Sequence, residues 1–413
     1  MIFASWSLAV AVVLAPVQAD TLHLREAVAL AREANPMLRA VRLSAEAAAE
    51  RVGPAGALPD PRLDLGLMNR MISDLGSTMD PMTMNQIQAS QMLPWPGKRG
   101  FAQDRAERLA VAAGFDADEA ERMLLARVQK IYYQMAYLDR AVTIMQRTRD
   151  LLRDLLSVAQ TMYAVGEALQ QDVLQAQVAV ARMTEDITVM QAERVAMAAR
   201  FNALLDRPAT VEIGALELPS GTAPVPSADS LMQLARFNRP ALAAASFRTQ
   251  AAEAAVRLAD RDRFPDLMVG VQYAARPSYD NMASLMFGFS IPVWAGRKQQ
   301  AMRREAQAME AMARADSSTL ASETFARLAE AVAMAERSRA LADLYATSIL
   351  PQAQAAVEGS LAAYRVGRVD FMSVVENQMT VNQYETERVR LLASYHTARA
   401  EIRALTEAAG DTP

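Results

Sequence analysis

The chain has 413 residues, 52% of them hydrophobic, enough for two or three ordinary domains with substantial cores. A formal charge of -4, a pI near 5.5 and the lack of any Lys/Arg run exclude a nucleic-acid-binding surface. Cysteine is absent, which excludes structural disulfides and thiolate metal sites and leaves no cysteine to carry a lipid anchor.

Residues 2–15 (IFASWSLAVAVVLA) form an apolar run followed by Pro16 and a small-residue site at Val17-Gln18-Ala19, the pattern of a secretory signal peptide spanning 1–19. No Lys or Arg precedes the run, so the true start codon and a short membrane anchor stay open. Beyond Ala19 no stretch approaches the ~20 apolar residues of a membrane helix, and any crossing of a bilayer falls to strands.

Residues 21–52 read as an amphipathic helix that Pro36 should kink, because proline lacks an N–H and crowds the preceding turn. Next, 62–70 and 84–93 alternate: Leu63, Leu65 and Leu67 oppose Asp64, Gly66 and Met68, and Ile87 and Ala89 oppose Gln86, Gln88 and Ser90. Period two with large apolar residues on one face fits transmembrane barrel strands, although a half-buried soluble hairpin has the same period. LPWPGKRG at 93–100 then combines a strand-ending Pro, a boundary-seeking Trp, a bend-permitting Gly and basic residues expected to face headgroups or water. From Phe101 to Met162 only Gly114 interrupts a helical pattern of about 60 residues, roughly 90 Å at 1.5 Å per residue.

YAVGEALQQDVLQAQ at 163–177 follows, and YRVGRVDFMSVVENQ at 364–378 echoes it 201 positions later. Each Gly marks the turn of a helical hairpin. Steps of three and four from Val173 pass through Met183, Ile187, Arg194 and Phe201, and from Val374 through Val381, Leu391, Tyr395 and Ile402. That is the seam of long packed helices. Residues 207–227, rich in Pro, Gly and Ser, read as an extended connector. The second half, 228–413, then repeats the first, 20–206: a helix interrupted at Pro240, strands near 267–275 and 284–293, IPVWAGRKQQ at 291–300, a long helix expected to bend at Pro351, and a hairpin tip at 364–368 to match 163–167. Four strands per chain cannot close a barrel, so either they lie in a soluble sheet or several chains each contribute four.

EAVALAREANP, LPWPGKR, IPVWAGRK and the two VG turns resemble the TolC-like outer membrane factors, the exit ducts of tripartite efflux and type I secretion systems. The resemblance covers nearly the whole mature chain. It implies a fold that is mainly α with a small β part: a homotrimer whose duplicated helical hairpins form a coiled-coil periplasmic tunnel, and whose four strands per chain complete a 12-stranded barrel in the lipid of the outer membrane. It also implies a periplasmic adaptor protein and an inner-membrane pump of the RND type as partners. Val165, Gly166, Glu167, Val366, Gly367 and Arg368 would touch the adaptor, and Asp172 and Glu376 would line the entrance. Ser373 departs from the family's acidic pattern at that place.

Two histidines, His23 and His396, no cysteine and no nucleotide or nucleophile motif leave no catalytic constellation, so no enzyme and no cofactor are expected. Met68, Met71, Met79, Met82, Met84 and Met92 crowd the first strand pair. Thioethers suit Cu(I) or Ag(I), which makes Met79, Met82 and Met84 weak metal candidates and matches the wording of the heavy-metal efflux branch. Met is also ordinary flexible filler. The expected function is therefore a passive trimeric duct for heavy-metal ions, with drug or organic-solute efflux, type I secretion and a soluble periplasmic coiled-coil scaffold as the alternatives.

Overall fold

The computed structural model describes residues 22–70, 82–277 and 279–407. The predicted signal segment and Met71 and Met79 lie outside these residues. In chain order the elements are α1 Leu24–Ala34, α2 Pro36–Glu50, α3 Val52–Gly56, β1 Arg62–Met68, β2 Met84–Leu93, α4 Lys98–Ala164, α5 Gln170–Leu204, α6 Ala228–Asn238, α7 Pro240–Arg261, β3 Asp266–Ala275, β4 Met282–Ser290, α8 Lys298–Leu344, a π-helical turn Tyr345–Ile349, α9 Leu350–Arg365 and α10 Phe371–Thr406. Among the described residues the chain is thus mainly helical with one small antiparallel sheet. No helix among them is long and apolar enough to cross a membrane.

Proline acts more sharply at two places than a kink. Asn35 and Arg239 take extended backbone, with ψ 119° and 115°, and new helices start at Pro36 and Pro240. The residue before proline is pushed out of the helical region, whereas proline itself suits the first helical position. At Pro351 the outcome differs. The helix continues, and the preceding turn widens so that the Leu350 N–H bonds back to the Tyr345 carbonyl, five residues earlier. Widening one turn makes room for the ring without ending the helix.

The chain divides into two compact units. The first holds the segment up to Asn35, Leu125–Val225 and Ala333–Ala400. Its core runs along the predicted seam: Met183 and Ile187 of α5 and Phe371, Val374 and Val375 of α10 pack with Leu152 and Ala159 of α4. The connector is tied to this core. Arg194 pairs with Asp139 at 3.0 Å and donates to the Ile213 and Gly214 carbonyls, while Asp139 also accepts from the Leu216 N–H. Further on, Tyr395 exchanges hydrogen bonds with the backbone of Ala223, and His396 Nε2 lies 2.9 Å from the Pro219 carbonyl oxygen.

The second unit comprises Pro36–Leu124, Pro226–Val332 and Glu401 onward. In it, Arg239 is almost fully buried and pairs with Glu119 at 2.8 Å, with Thr324 also accepting from its guanidinium. Arg122 donates to the Asn238 and Glu407 carbonyls, anchoring the end of α10.

The sheet lies in this second unit in the order β1-β2-β3-β4, every neighbour antiparallel. β4 starts at Met282 and stops at Ser290, short of the expected 293, because Pro292 has no N–H for the ladder. Registers of Leu63↔Ala89, Ala89↔Val271 and Val271↔Leu285 pair odd-numbered residues with odd ones throughout. Successive residues on a strand alternate faces. The odd face therefore carries Leu63, Leu65, Leu67, Ile87, Leu93, Val271, Tyr273, Leu285, Phe287 and Phe289. The even face carries Arg62, Asp64, Gln86, Gln88, Gln272, Ser284 and a set of methionines.

Candidate functional site

Each hairpin tip is the same backbone device. In the first, the Glu167 N–H bonds to the Met162 carbonyl at 2.8 Å and the Gly166 N–H to Tyr163 at 3.0 Å; in the second, Arg368 bonds to Ala363 at 2.9 Å and Gly367 to Tyr364 at 3.0 Å. This pair of bonds is a Schellman cap, which needs one left-handed residue. Gly166 has φ 83° and Gly367 φ 68°, and a Cβ at either place would meet nothing within 4 Å. The demand for glycine is therefore conformational and not steric. It leaves the preceding valines projecting outward, Val165 and Val366 each 67% exposed, with Leu169 exposed beside them.

The return helices start by two different routes. Asp172 sits in the first turn of α5 and accepts from the Leu169 N–H at 3.3 Å, the acidic half of a capping box whose N-cap leucine has no side-chain acceptor to complete it. In the second repeat the acid has moved to Asp370, which accepts from the Ser373 N–H at 3.0 Å and from its hydroxyl. Those bonds from Ser373 hold the Asp370 carboxyl below its usual range. The departure at Ser373 thus relocates the acid by three residues, and Asp370 is the group that matching to the family pattern overlooked. Its signal, Asp followed three residues later by Ser ahead of an apolar run, was present. Glu376 is exposed on α10, in a groove with Leu174, Val178 and Arg182 of α5. Between the tips, Tyr364 packs edge-on against Phe371 and donates to the Met162 sulfur at 3.5 Å. Burial first, then the charge of Asp172, pushes its phenol pKa up.

At the sheet, the large odd-face residues are exposed, Leu65 to 76% and Phe287 to 63%. Within the LPWPGKR motif the strand ends at Leu93 before Pro94, Gly97 takes φ 94° and Arg99 is exposed, as expected, and only Lys98 departs. Lys98 faces neither headgroups nor water: its side chain is only 12% exposed and lies 2.9 Å from Asp266. The same carboxylate accepts from the Trp95 N–H at 2.8 Å, and the Trp95 ring stacks on Phe264 with centroids 5.2 Å apart. The motif joins the first repeat to the Phe-Pro-Asp start of β3. Its second copy, with Trp294 68% exposed and Arg297 also exposed, makes no such contact among the described residues.

Of the metal candidates, Met84 opens β2 on the even face, directly opposite Met68. Met82 is exposed before the strand, its carbonyl accepting from Asn69. No cluster of three or more His, Asp or Glu suited to a metal occurs among the described residues.

A family model described as outer membrane efflux protein matches residues 27–205 and 231–408. Among solved structures, the chain is similar to the outer-membrane channel OprN, with TM-score 0.78 and 19% identity over 93% of this chain and 89% of that one. It is similar to the outer membrane protein VceC from Vibrio cholerae, with TM-score 0.79 and 17% identity over 93% and 96%. CusC, described as forming a transmembrane channel, aligns with TM-score 0.78 and 16% identity over 94% and 92%. No curated protein matches the sequence.

Proposed function

The chain belongs to the outer membrane efflux protein family, and from that premise we propose that it is the outer-membrane duct of a tripartite efflux system, a homotrimer whose cargo is soft metal ions such as Cu(I) or Ag(I). It resides in the outer membrane and is a passive channel, not an enzyme. Members of this family work as homotrimers with adaptor proteins and inner-membrane pumps.

The observation that carries the reading is the two-faced open sheet. β1 and β4 are its edges, their apolar odd faces are exposed, and unpaired strand edges are untenable in lipid. Three copies closing edge to edge make a 12-stranded barrel with Leu65, Tyr273 and Phe287 toward lipid and Gln86, Gln272 and Ser284 toward the lumen. An apolar groove on α7 and α8, lined by Ala252, Met302, Met309 and Met312, suits a neighbouring helix. At the periplasmic end, the two tips, turned by the same glycine cap, present Val165, Gly166, Glu167, Val366, Gly367 and Arg368 to the adaptor, with Asp172, Asp370 and Glu376 lending the entrance negative charge.

Fractionation and a gene deletion test the two levels separately. Heat-modifiable trimers in the outer membrane support the duct, and monomers released by osmotic shock overturn it in favour of a soluble scaffold. Loss of Cu(I) and Ag(I) tolerance on deletion supports the cargo. Unchanged metal tolerance with new drug sensitivity moves the cargo to organic solutes.

A further inference from the structure

The strand register divides the methionines in a way that burial does not require. The four strands contain six, Met68, Met84, Met92, Met268, Met282 and Met286, and all six are on the even, polar face. The odd face, built mostly from Leu, Ile, Val, Phe and Tyr with Asn85 and Gln91 among them, holds none. Filler methionine follows apolar surroundings, so it would favour the odd face. Here the thioethers keep company with Gln86, Gln88, Gln272 and Ser284 instead.

Two of the pairs are directly opposed across strands, Met68↔Met84 on β1 and β2, and Met92↔Met268 on β2 and β3. Opposed residues in an antiparallel pair hold their Cβ atoms roughly 4.5–5.5 Å apart, close enough for two flexible sulfur arms to meet one ion. The neighbours are small. A Cβ placed on Gly288 would lie 3.0 Å from Met268 Cε, and one on Gly270 would lie 3.4 Å from Met286 Cε, so each side chain's methyl end occupies space that a glycine of the adjoining strand leaves open. The carboxylates on this face are engaged elsewhere: Asp64 with Arg62 at 2.8 Å, and Asp266 with Lys98 at 2.9 Å.

We propose that the even face of the sheet is a thioether wall that binds soft monovalent cations, Cu(I) or Ag(I), through Met68 with Met84 and Met92 with Met268. Thioethers are soft and uncharged, so they take these ions in preference to hard divalent ones and hold them loosely enough to pass them along. They carry no proton at neutral pH, so binding displaces none. For its physiological role this inference rests on the soft-metal reading above; the binding itself is a property of the purified protein.

The test is Ag(I) titration of the detergent-purified trimer by equilibrium dialysis, in wild type and in M68L/M84L/M92L/M268L. Leucine nearly conserves methionine volume, and the paired variants M68L/M84L and M92L/M268L are made alongside in case the quadruple variant fails to assemble. Expected are wild-type binding unchanged between pH 6 and 8, sulfur-only scattering in X-ray absorption of the Cu(I)-loaded protein, at least a tenfold loss of affinity in the quadruple variant and a partial loss in each pair. Equal Ag(I) binding by wild type and variants, or oxygen or nitrogen scatterers at the metal, overturns the wall. A metal-sensitive deletion strain with that result leaves the duct's cargo standing. A metal-tolerant deletion strain with Met-dependent binding does the reverse.

Discussion

Arg194 and Tyr395 stand 201 residues apart at equivalent places in the two seams, and both hold the connector: Arg194 through the Ile213 and Gly214 carbonyls, Tyr395 through the backbone of Ala223. Arg194 breaks the apolar pattern of its helix and the buried Tyr395 brings a hydroxyl into its own, and the connector accounts for both polar groups. Removing Arg194 strands the mostly buried Asp139 and frees two carbonyls. Arg194→Met is expected to cost about 1–3 kcal/mol and to raise hydrogen exchange across 213–216. Adding Asp139→Leu should recover part of the loss; no recovery would mean the ion pair is not what matters there.

At the tips, alanine at Gly166 or Gly367 should cost about 1–2 kcal/mol each, the penalty for an L-residue in the left-handed region, with no steric component. Gly367→Pro goes further, because it fixes φ near -65° and removes the N–H that bonds to Tyr364. This variant is expected to lose efflux and adaptor cross-linking while still assembling in the outer membrane. Normal resistance would remove the tip from the docking surface.

The second tip should be sensitive to acid. The folded Asp370 carboxyl is held below its ordinary range by Ser373, so its stabilising contribution is present above the unfolded pKa and is lost as pH falls through the folded one. Amide protection over 366–374, taken relative to the intrinsic exchange rate at each pH, is expected to fall as pH drops below the usual carboxylate range, and Asp370→Asn should flatten that dependence. An Asp370→Asn profile identical to wild type would refute the cap.

Internal duplication also predicts the joint between subunits in the proposed trimer. Within one chain, Leu93 pairs with Leu267, and Lys98 reaches Asp266. Transferring that joint to the second repeat's outgoing strand and a neighbour's β1 sets Phe289 opposite Leu63 and Phe287 opposite Leu65, with Arg297 reaching Asp60. All four strand residues belong to the apolar face, as a continuous barrel wall requires. The chain has no native cysteine, so Leu65→Cys with Phe287→Cys should give an oxidant-dependent trimer ladder, whereas Leu65→Cys with Phe289→Cys should give far less. The opposite ranking would disprove the register.

Much of this architecture was legible in the residues. The helical seam, the period-two strands and the VG turns are local patterns, governed by backbone geometry and by which side chains share a face, so reading along the chain recovers them. What Pro351 and Lys98 do was less accessible. A proline tells that a helix is disturbed and not whether it ends or widens. A lysine beside a strand end points to water until an aspartate 168 residues away is seen to meet it.

The division has a physical basis. Sequence alone determined the repeat, the element types, the glycine turns and two-sided strands, because those follow from interactions between residues a few positions apart. Tertiary structure decided the strand order and register, and with them the gathering of Met68, Met84, Met92, Met268, Met282 and Met286 on one wall. It also decided which polar residues hold the connector. These depend on partners tens to hundreds of residues distant, whose meeting is set by the packing of the whole chain.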